Sequence, residues 1–328
     1  MRPEDITVAI TVFNRRDFIL EAIESALNQN QTVKVIVVED CSPDEGLQKY
    51  VEDRFGGSIS YHRNEVRRGL FGNWNACLDL CSTPWLSILH DDDRLAPDFV
   101  DAMIDLEKAV PGCGIYFSST IQIDELNRRL PIPTHYFAGE FRRIDPRSFA
   151  YANDVLFPGQ LFRVDRALSV GGFRESSQFC ADWEMWFKLA FHFGAAQTAR
   201  AVSYSRAHQG IERGTNKVVR LGRKHALDFV QAKRNVRLLR KTYPEEHFDR
   251  RKILRDYPLP TRELLQNAPY MTRRLVRYNA GLLLHSPPPN PSYALFQTAV
   301  RFLGPAFVLY VSSIVRRLLR RQFSQKDS

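Results

Sequence analysis

The sequence predicts an α/β fold, with a sheet covered by helices on both faces and a basic helical region after it. Apolar, β-branched runs that end in polar residues alternate with stretches of helical periodicity, which is typical of β-α-β units. The chain has 328 residues, 44% of them hydrophobic, which is enough to bury one large core or two modest ones. Because ligands of such folds gather at the carboxyl ends of the strands, polar residues at those ends are the candidate site.

The first β-α-β unit lies at the front of the chain. Residues 6–13 and 33–40 are β-branched runs that predict parallel strands, which end beside Asn14 and at Asp40. The segment between them carries apolar residues on one stripe at helical spacing: Phe18, Ile19, Ala22, Ile23, Ala26 and Leu27. A helix is therefore predicted between the two strands.

The same alternation continues to Gly194. Further strands are predicted at residues 59–64, 85–90, 114–123 and the start of 159–173, and further helices at 72–81, 98–109 and 181–194. Gly194 ends the last of these helices as a glycine C-cap does. Residues 124–146 are a long polar excursion, which is typical of a lid or a binding segment.

An acidic run, HDDDRL, follows the predicted strand at residues 85–90. His90 precedes three adjacent aspartates, and like charges at that spacing repel one another unless a positive charge lies among them. A divalent cation would supply that charge. The alternative is an ordinary loop in which Asp93 helps to cap a helix that begins near Pro97.

Charge is distributed unevenly along the chain. Residues 1–216 contain 23 Lys and Arg against 30 Asp and Glu, a net −7, whereas residues 217–328 contain 23 against 7, a net +16. An acidic front suits a metal-dependent site. A basic rear suits an anionic surface, either lipid headgroups or nucleic acid.

The cysteines and the hydropathy pattern indicate the cellular compartment of the protein. The five cysteines are an odd, scattered set, which argues against a zinc site or a disulfide framework. The sequence does not open with a basic-then-apolar leader, and its apolar runs are shorter than the roughly 20 residues of a membrane span. We therefore expect a cytoplasmic protein.

Four ordered motifs within residues 6–216 resemble the family 2 inverting glycosyltransferases, of the kind that builds bacterial surface polysaccharides. The motifs are ITVAITVFNRRDFILEAIESALNQ, VIVVEDCSPDE, LHDDDRLAPDF and ADWEMWFKL. The resemblance implies a GT-A fold, in which helices flank a Rossmann-like mixed sheet. It also implies non-processive transfer of one sugar from a nucleotide-diphosphate donor, a UDP-sugar, to a hydroxyl of a saccharide or a lipid-linked saccharide.

The resemblance further implies a divalent metal, Mn²⁺ or Mg²⁺. A metal held by carboxylates neutralises the leaving diphosphate as a Lewis acid. By this likeness Asp92 is the direct ligand, Asp91 lies nearer the ribose and Asp93 supports the site. His208 is similar to a histidine that reaches the metal or the diphosphate in many relatives. His90 stands where the family usually has its first Asp.

The nucleotide of the donor is expected at the ends of the first strands. The resemblance implies that Thr11, Asn14, Glu39 and Asp40 line this pocket, with Asp40 pairing to the base. Asn73 is implied beside the nucleotide as well. The alternative for Asn73 is a capping and packing role in its own helix.

Asp182 is implied as the general base that removes the proton of the acceptor hydroxyl. A base on the side of the anomeric carbon opposite the leaving group gives inversion. Ala181 stands where the family usually has Glu, and Glu184 is the second candidate. The alternative for both acids is an ordinary helix start, where acidic side chains favour the helix dipole. Arg206 and Arg213 either contact the diphosphate or are solvated.

Three regions are predicted: a catalytic domain over 1–216, a helical basic extension over 217–286, and a proline-rich linker with a basic tail over 287–328. In the tail, the uncharged stretch 302–315 precedes four arginines, which predicts peripheral contact with an anionic membrane at its cytoplasmic face. The alternative is a terminal helix docked on its own domain or on a second subunit.

Two other classes of protein are open. A sugar nucleotidyltransferase is disfavoured because residues 10–18 contain no glycine for a phosphate loop. A non-enzymatic nucleic-acid-binding protein is disfavoured because aromatic residues do not interleave with the basic ones, and we expect no nucleic-acid partner. A dehydrogenase is weaker still, since no G-x-G-x-x-G follows the first strand.

Overall fold

The computed structural model describes residues 1–131, 137–208 and 223–246. The chain divides into two units, Met1–Phe149 with Asn153–Gln209, and Ala150–Ala152 with Gly210–Ser328. All the predicted site residues named in the sequence analysis, except Arg213, belong to the first unit. The domain boundaries at residues 216 and 286 stay predictions.

Strands and helices alternate through the first unit. The strands are β1 (Ile6–Val12), β2 (Lys34–Glu39), β3 (Ser60–Arg63), β4 (Trp85–His90), β5 (Arg94–Leu95), β6 (Ile115–Ile123), β7 (Phe141–Arg143), β8 (Gln160–Arg163) and β9 (Ala195–Arg206). The helices are α1 (Ile19–Leu27), α2 (Leu47–Phe55), α3 (Gly69–Leu80), α4 (Phe99–Ala109), α5 (Pro146–Phe149), α6 (Val164–Ser169), α7 (Ala181–Phe193) and, in the second unit, α8 (Arg223–Leu239). Short 3-10 helices cover Pro3–Asp5, Gly56–Ser58 and Glu175–Cys180.

The strands form one mixed sheet, in the order β3-β2-β1-β4-β8-β6-β9-β5, with β7 paired to β9. β1 is parallel to β2 and β4, and β2 is parallel to β3. β8 is antiparallel to both β4 and β6, and β9 is parallel to β6. β1, β2, β3, β4, β6 and β9 therefore all point the same way, and their carboxyl ends share one edge of the sheet. The mixed α/β sheet that the sequence predicts is confirmed.

The core lies on both faces of this sheet. All seven residues of β1 are buried, as are five of the six in β4. Strands that are buried on both faces are rich in β-branched residues without alternation, which explains the apolar runs in the sequence. In α1 the buried residues Ile19, Ala22, Ile23 and Ala26 fall on the predicted stripe.

One long strand, β9, is absent from the sequence prediction, which assigns no element directly after Gly194. Its sequence, AAQTARAVSYSR, mixes alanines and polar residues without a clear period of two. It is held instead by pairing with β5, β6 and β7, which are far away in sequence. Such long-range pairing is not encoded in a local pattern. β9 matters for function because it ends at Arg206, two residues before His208.

In the second unit the described residues include α8, and the side chain of Asn235 donates to the carbonyl oxygen of Ala150 (3.3 Å). Over the three described ranges, no helix combines the length and the apolar character that crossing a bilayer demands. Residues 302–315 lie outside the described residues, as does Arg213, so the membrane contact stays a prediction.

Candidate active site

The acidic run lies at the end of β4, beside the end of β1. The backbone N–H of Asp91 donates to the carbonyl oxygen of Thr11 (3.1 Å), which continues the β1–β4 ladder past the last residue of β4. Asp91 and Asp93 are each only 4% exposed, and the side chain of Asp92 is 15% exposed. Because water reaches these carboxylates poorly, the protein must itself compensate their charges.

Arg15 compensates two of the carboxylates. It follows Asn14, whose left-handed φ of 53° turns the chain after β1. Nε of Arg15 donates to Oδ2 of Asp91 (3.1 Å), and Nη2 bonds to the other oxygen of the same carboxylate. Nη1 donates to Oδ2 of Asp92 (2.9 Å). Part of the positive charge that the acidic run requires is therefore supplied by the chain, at a residue that the sequence analysis did not identify.

His208 contacts the same oxygen of Asp92 as Arg15 does. Its Nε2 lies 2.8 Å from Oδ2 of Asp92, and its Nδ1 lies 3.1 Å from Oε1 of Glu125. Glu125 follows β6 and His208 follows β9, so the parallel pairing of these two strands brings both residues to the edge where β4 ends. The structure thus brings together Asp92 and His208, which the sequence analysis names as metal ligands.

These contacts shift the acid–base behaviour of the site. Burial disfavours the charged form of Asp92, but the hydrogen bond with His208 and the charge of Arg15 outweigh it, so the pKa of Asp92 is far below its ordinary value. The hydrogen bond with Asp92 raises the pKa of His208. Burial raises the pKa of Asp91, and the charge of Arg15 opposes that rise. Asp92 is therefore ionised at neutral pH, as a carboxylate metal ligand must be.

The donor set fits a hard divalent cation. Nε2 of His208 and Oδ2 of Asp92 are hydrogen-bonded at 2.8 Å, so a cation bound to both atoms would take the place of the proton between them. Adjacent ligands of an octahedral ion with bonds of about 2.1 Å lie roughly 3.0 Å apart, so the two atoms are already close to the spacing that such an ion requires. A carboxylate such as Glu125 on the remaining ring nitrogen is the arrangement that orients metal-bound histidines. His90, Asp92 and Asp93 also hold ligand atoms within 4.8 Å of one another. Asp92 and His208 would hold Mn²⁺ or Mg²⁺ here, which would supply Lewis-acid chemistry.

Arg206 connects the ends of β4, β6 and β9. Its backbone N–H donates to Oδ1 of Asp93 (2.9 Å), and its Nε donates to the carbonyl oxygen of Asp92 (2.8 Å). Its Nη1 donates to the carbonyl oxygen of Asp124 (3.1 Å), and its Nη2 pairs with Glu21 (3.1 Å). The side chain is fully buried, so the structure differs from the two roles that the sequence suggested, diphosphate contact or solvation. Arg206 instead fixes the backbone that carries Asp92 and His208.

We expect the substitution Arg206→Met to lower the free energy of unfolding by about 3–5 kcal/mol, the cost of breaking a buried, hydrogen-bonded charge. Two buried carbonyl oxygens would lose their donor. The matched control is Arg94→Met, because Arg94 lies 3.8 Å from the same Glu21 but its side chain is 36% exposed. Such a surface pair contributes about 0–1 kcal/mol. Urea denaturation measures the free energy of unfolding of both variants. An equal loss of that free energy in the two variants would contradict the connecting role of Arg206.

His90 enters an aromatic cluster. Its ring stacks on Phe157, with centroids 4.1 Å apart, and on Trp74 at 5.7 Å. Its Nδ1 lies 3.6 Å from Oδ2 of Asp93, and its Nε2 is buried and has no hydrogen-bond partner among the described residues. Burial opposes protonation of the ring, but the contact with Asp93 outweighs it and raises the pKa of His90. The ring of His90 therefore links the acidic run to the aromatic cluster.

The predicted base, Asp182, is half-buried in the first turn of α7. Residues one helical turn apart share a face, so Asp182 lies on the same face as Trp186. Trp186 contacts Phe157 (5.9 Å between centroids), and Phe157 stacks on His90. This chain of ring contacts connects the face of α7 that carries Asp182 to the acidic run.

Glu184, the second candidate for the base, is used inside the protein. Only 5% of the residue is exposed. Its carboxylate lies 2.9 Å from Nζ of Lys188 and 3.3 Å from Nη2 of Arg174, and it accepts a hydrogen bond from Ser177. These bonds attach the 3-10 helix Glu175–Cys180 to the start of α7. Glu184 is therefore engaged inside the protein, and Asp182 stays the predicted base.

The residues predicted to bind the nucleotide lie near the ends of β1 and β2. Oδ1 of Asp40 accepts the backbone N–H of Arg68 (2.7 Å), and its Oδ2 accepts that of Gly69 (2.9 Å). Asp40 thereby caps the start of α3, where a negative charge is favourable. The backbone N–H of Asn14 donates to Oγ of Ser42 (2.9 Å), which holds the turn after β1 against the turn after β2.

Glu39 and Asn73 are bonded within the protein. Glu39 is fully buried and accepts from Tyr61 (2.8 Å), from the backbone of Ser42 (3.1 Å) and from Arg63. Burial, with the hydrogen bond to Glu39, raises the pKa of Tyr61. The side chain of Asn73 donates to the carbonyl oxygen of Val38 (3.0 Å) and accepts from Asn64 (2.9 Å). Their contacts with a nucleotide stay predictions, and the packing alternative for Asn73 has direct support.

Comparison with known proteins assigns a family to the first half of the chain. Residues 7–162, which include β1, β2 and the acidic run, match the family model described as Glycosyl transferase family 2. These residues belong to glycosyltransferase family 2. The family 2 match ends before Asp182 and His208, so these two residues lie outside the matched part of the chain.

Curated relatives of the family 2 domain agree with this assignment. The chain is 38% identical over 104 residues to the succinoglycan biosynthesis protein ExoO of Rhizobium meliloti, a match that covers 31% of this chain and 29% of that protein. It is 26% identical over 192 residues to an uncharacterized glycosyltransferase of Rickettsia conorii, covering 56% and 31% of the two chains. The chain thus spans about a third of the length of these two relatives.

Solved structures show the same fold as the family 2 domain. Staphylococcus aureus TarS 1-349 in complex with UDP superposes with a TM-score of 0.56 at 14% identity, covering 97% of this chain and 92% of that chain. The mannosyltransferase PcManGT of Pyrobaculum calidifontis, in complex with GDP-Man and Mn²⁺, superposes with a TM-score of 0.53 at 17% identity, covering 96% and 87%. The predicted GT-A fold is confirmed.

Proposed function

We propose that this chain is a metal-dependent, inverting glycosyltransferase that moves one sugar from a nucleotide-diphosphate donor to a hydroxyl of a saccharide or lipid-linked saccharide. The observation that carries the proposal is the meeting of Asp92 and His208, at 2.8 Å, on the edge where the parallel strands end. Two metal-ligating groups from distant parts of the chain, with a carboxylate behind the histidine, form an arrangement suited to a diphosphate-bound cation.

Each residue then has a role in the transfer. The cation at Asp92 and His208 would neutralise the charge that develops on the leaving diphosphate. Thr11, Asn14 and Asp40, near the ends of β1 and β2, would surround the nucleotide. Asp182 would accept the proton of the attacking hydroxyl from the opposite side of the anomeric carbon, which inverts its configuration.

The relatives support the choice of substrates. ExoO is named for succinoglycan biosynthesis, and TarS 1-349 has a structure with UDP-GlcNAc. We infer a UDP-sugar as the donor and cell-surface polysaccharide assembly as the process. A lipid-linked acceptor would locate the enzyme at the cytoplasmic face of an anionic membrane, to which residues 217–328, with their net charge of +16, would be attracted.

Removal of the metal tests this proposal. We expect dialysis against EDTA to reduce turnover of a UDP-sugar to background, and Mn²⁺ or Mg²⁺ to restore it, because the diphosphate would otherwise leave without charge neutralisation. The assay follows release of UDP and, in parallel, of GDP from a panel of UDP- and GDP-sugars. Full turnover after chelation would contradict the metal-dependent mechanism.

A further inference from the structure

Arg15 has no part in the proposed reaction as stated, although it is central to the site. Its side chain is 36% exposed and contacts two buried carboxylates. Asp91 receives two of its hydrogen bonds, from Nε and Nη2, whereas Asp92 receives one, from Nη1. The guanidinium is therefore held mainly by Asp91 and contacts Asp92 through Nη1 alone.

Nη1 of Arg15 bonds to Oδ2 of Asp92, the oxygen that a metal would use. Oδ2 of Asp92 accepts from Nη1 of Arg15 at 2.9 Å and lies 2.8 Å from Nε2 of His208. A divalent cation bound to this oxygen and to His208 would be next to the guanidinium, and two positive groups at that spacing repel in a poorly hydrated site. The cation and the Nη1 group therefore compete for one oxygen.

We propose that Arg15 and the divalent cation are alternative partners of Asp92, and that Arg15, kept in place by Asp91, binds the diphosphate of the donor when the cation is bound. This inference rests on the proposed function. A diphosphate held by the cation brings anionic oxygens next to the displaced Nη1–H group. Arginine is suited to this exchange, since its planar fork bonds to a carboxylate and to a phosphate at once.

The exchange makes metal and nucleotide binding cooperative. The cation alone must displace Arg15 from Asp92 and leave Nη1 without an anion. The cation with a nucleoside diphosphate displaces Arg15 but gives it a new partner. Because coupling between two ligands is reciprocal, each ligand should raise the affinity of the protein for the other.

The experiment measures the affinity for Mn²⁺ by electron paramagnetic resonance, with and without saturating UDP or GDP. We expect R15M to bind Mn²⁺ alone about tenfold more tightly than the wild type does. We also expect the factor by which the nucleotide raises the affinity for Mn²⁺ to be about tenfold smaller in R15M than in the wild type, within the usual range of such couplings. The matched control is R16M. Arg16 is the next residue, and its guanidinium pairs with the exposed Asp44 (2.6 Å) instead of the acidic run, so R16M should behave as the wild type.

Each outcome has a defined meaning. If R15M binds Mn²⁺ no more tightly than R16M does, Arg15 and the cation do not compete for Asp92. If the nucleotide raises the affinity for Mn²⁺ as much in R15M as in the wild type, Arg15 does not bind the diphosphate. If R15M does not fold, R15K replaces it, because lysine keeps a charge for Asp91 but cannot bridge two carboxylates. D92N separates the two proposals: if it binds Mn²⁺ as the wild type does, the metal site of the proposed function is wrong, and with it this inference.

Discussion

Asp92→Asn should reduce sugar transfer by roughly 10³-fold at saturating Mn²⁺, because a metal contributes several kcal/mol to a developing charge and each 1.4 kcal/mol or so is tenfold in rate. The substitution keeps the shape of the side chain but removes the negative charge to which the proposed function assigns the metal. Arg15 still has Asp91 as a partner, so the variant should remain folded. Initial rates of product formation, with a thermal unfolding curve as the check on folding, measure the effect.

Asp98→Asn is the matched control for this experiment. Asp98 also pairs with an arginine, Arg200, at 2.7 Å, but it lies beyond β5 and outside the acidic run. We expect the rate of sugar transfer by the Asp98→Asn variant to remain within about threefold of the wild-type rate, since a partly exposed ion pair contributes about 0–1 kcal/mol to stability. Equal losses in the two variants would mean that Asp92 acts through general charge balance and does not bind a metal.

Asp182→Asn should lower kcat by about 10²- to 10⁴-fold, the usual contribution of a positioned general base. Asparagine cannot take the proton of the acceptor hydroxyl. Binding of Mn²⁺ and of the nucleotide should stay as in the wild type, because these ligands are assigned to residues at the ends of β1, β2, β4 and β9. Steady-state kinetics with a saccharide acceptor, together with a nucleotide titration, separate the two effects.

The control for Asp182→Asn is Asp165→Asn. Asp165 also occupies the first turn of a helix, α6, and its side chain is 62% exposed beside Arg163. This substitution removes a comparable interaction with a helix dipole, so kcat should not change. Glu184 would instead be the base if Glu184→Gln abolished turnover while the protein, which would lose the ion pairs of Glu184 with Lys188 and Arg174, stayed as stable as the wild type.

Local features of the site follow from the sequence. The runs that form β1, β2 and β4 are apolar because both faces of the sheet are covered, and such runs are visible in any stretch of sequence. The acidic run is conspicuous because three adjacent carboxylates require compensation. Residues 91–93 could therefore be selected before their surroundings were known, whereas Asp182 was named only by the resemblance to family 2 glycosyltransferases.

The partners of these residues were not predictable from the same patterns. Arg15 is one of several arginines in the first half of the chain, and nothing local distinguishes it from Arg16, which pairs on the surface. Glu125 lies in a polar excursion and gains its role only because β6 and β9 pair in parallel. The sequence suggested that Arg206 meets a diphosphate or is solvated, but burial under the acidic run depends on the fold of β9, which local periodicity did not indicate.

The distance along the chain between Asp92 and His208 has a consequence for synthesis on the ribosome. The two residues are 116 positions apart, and Arg206, which holds the backbone of Asp92, is almost as far away. A nascent chain that has folded only β1 to β4 carries the aspartates without Arg206 or His208. Domains generally fold as units during synthesis. The contact between Asp92 and His208 therefore cannot form before the polypeptide has emerged beyond residue 208.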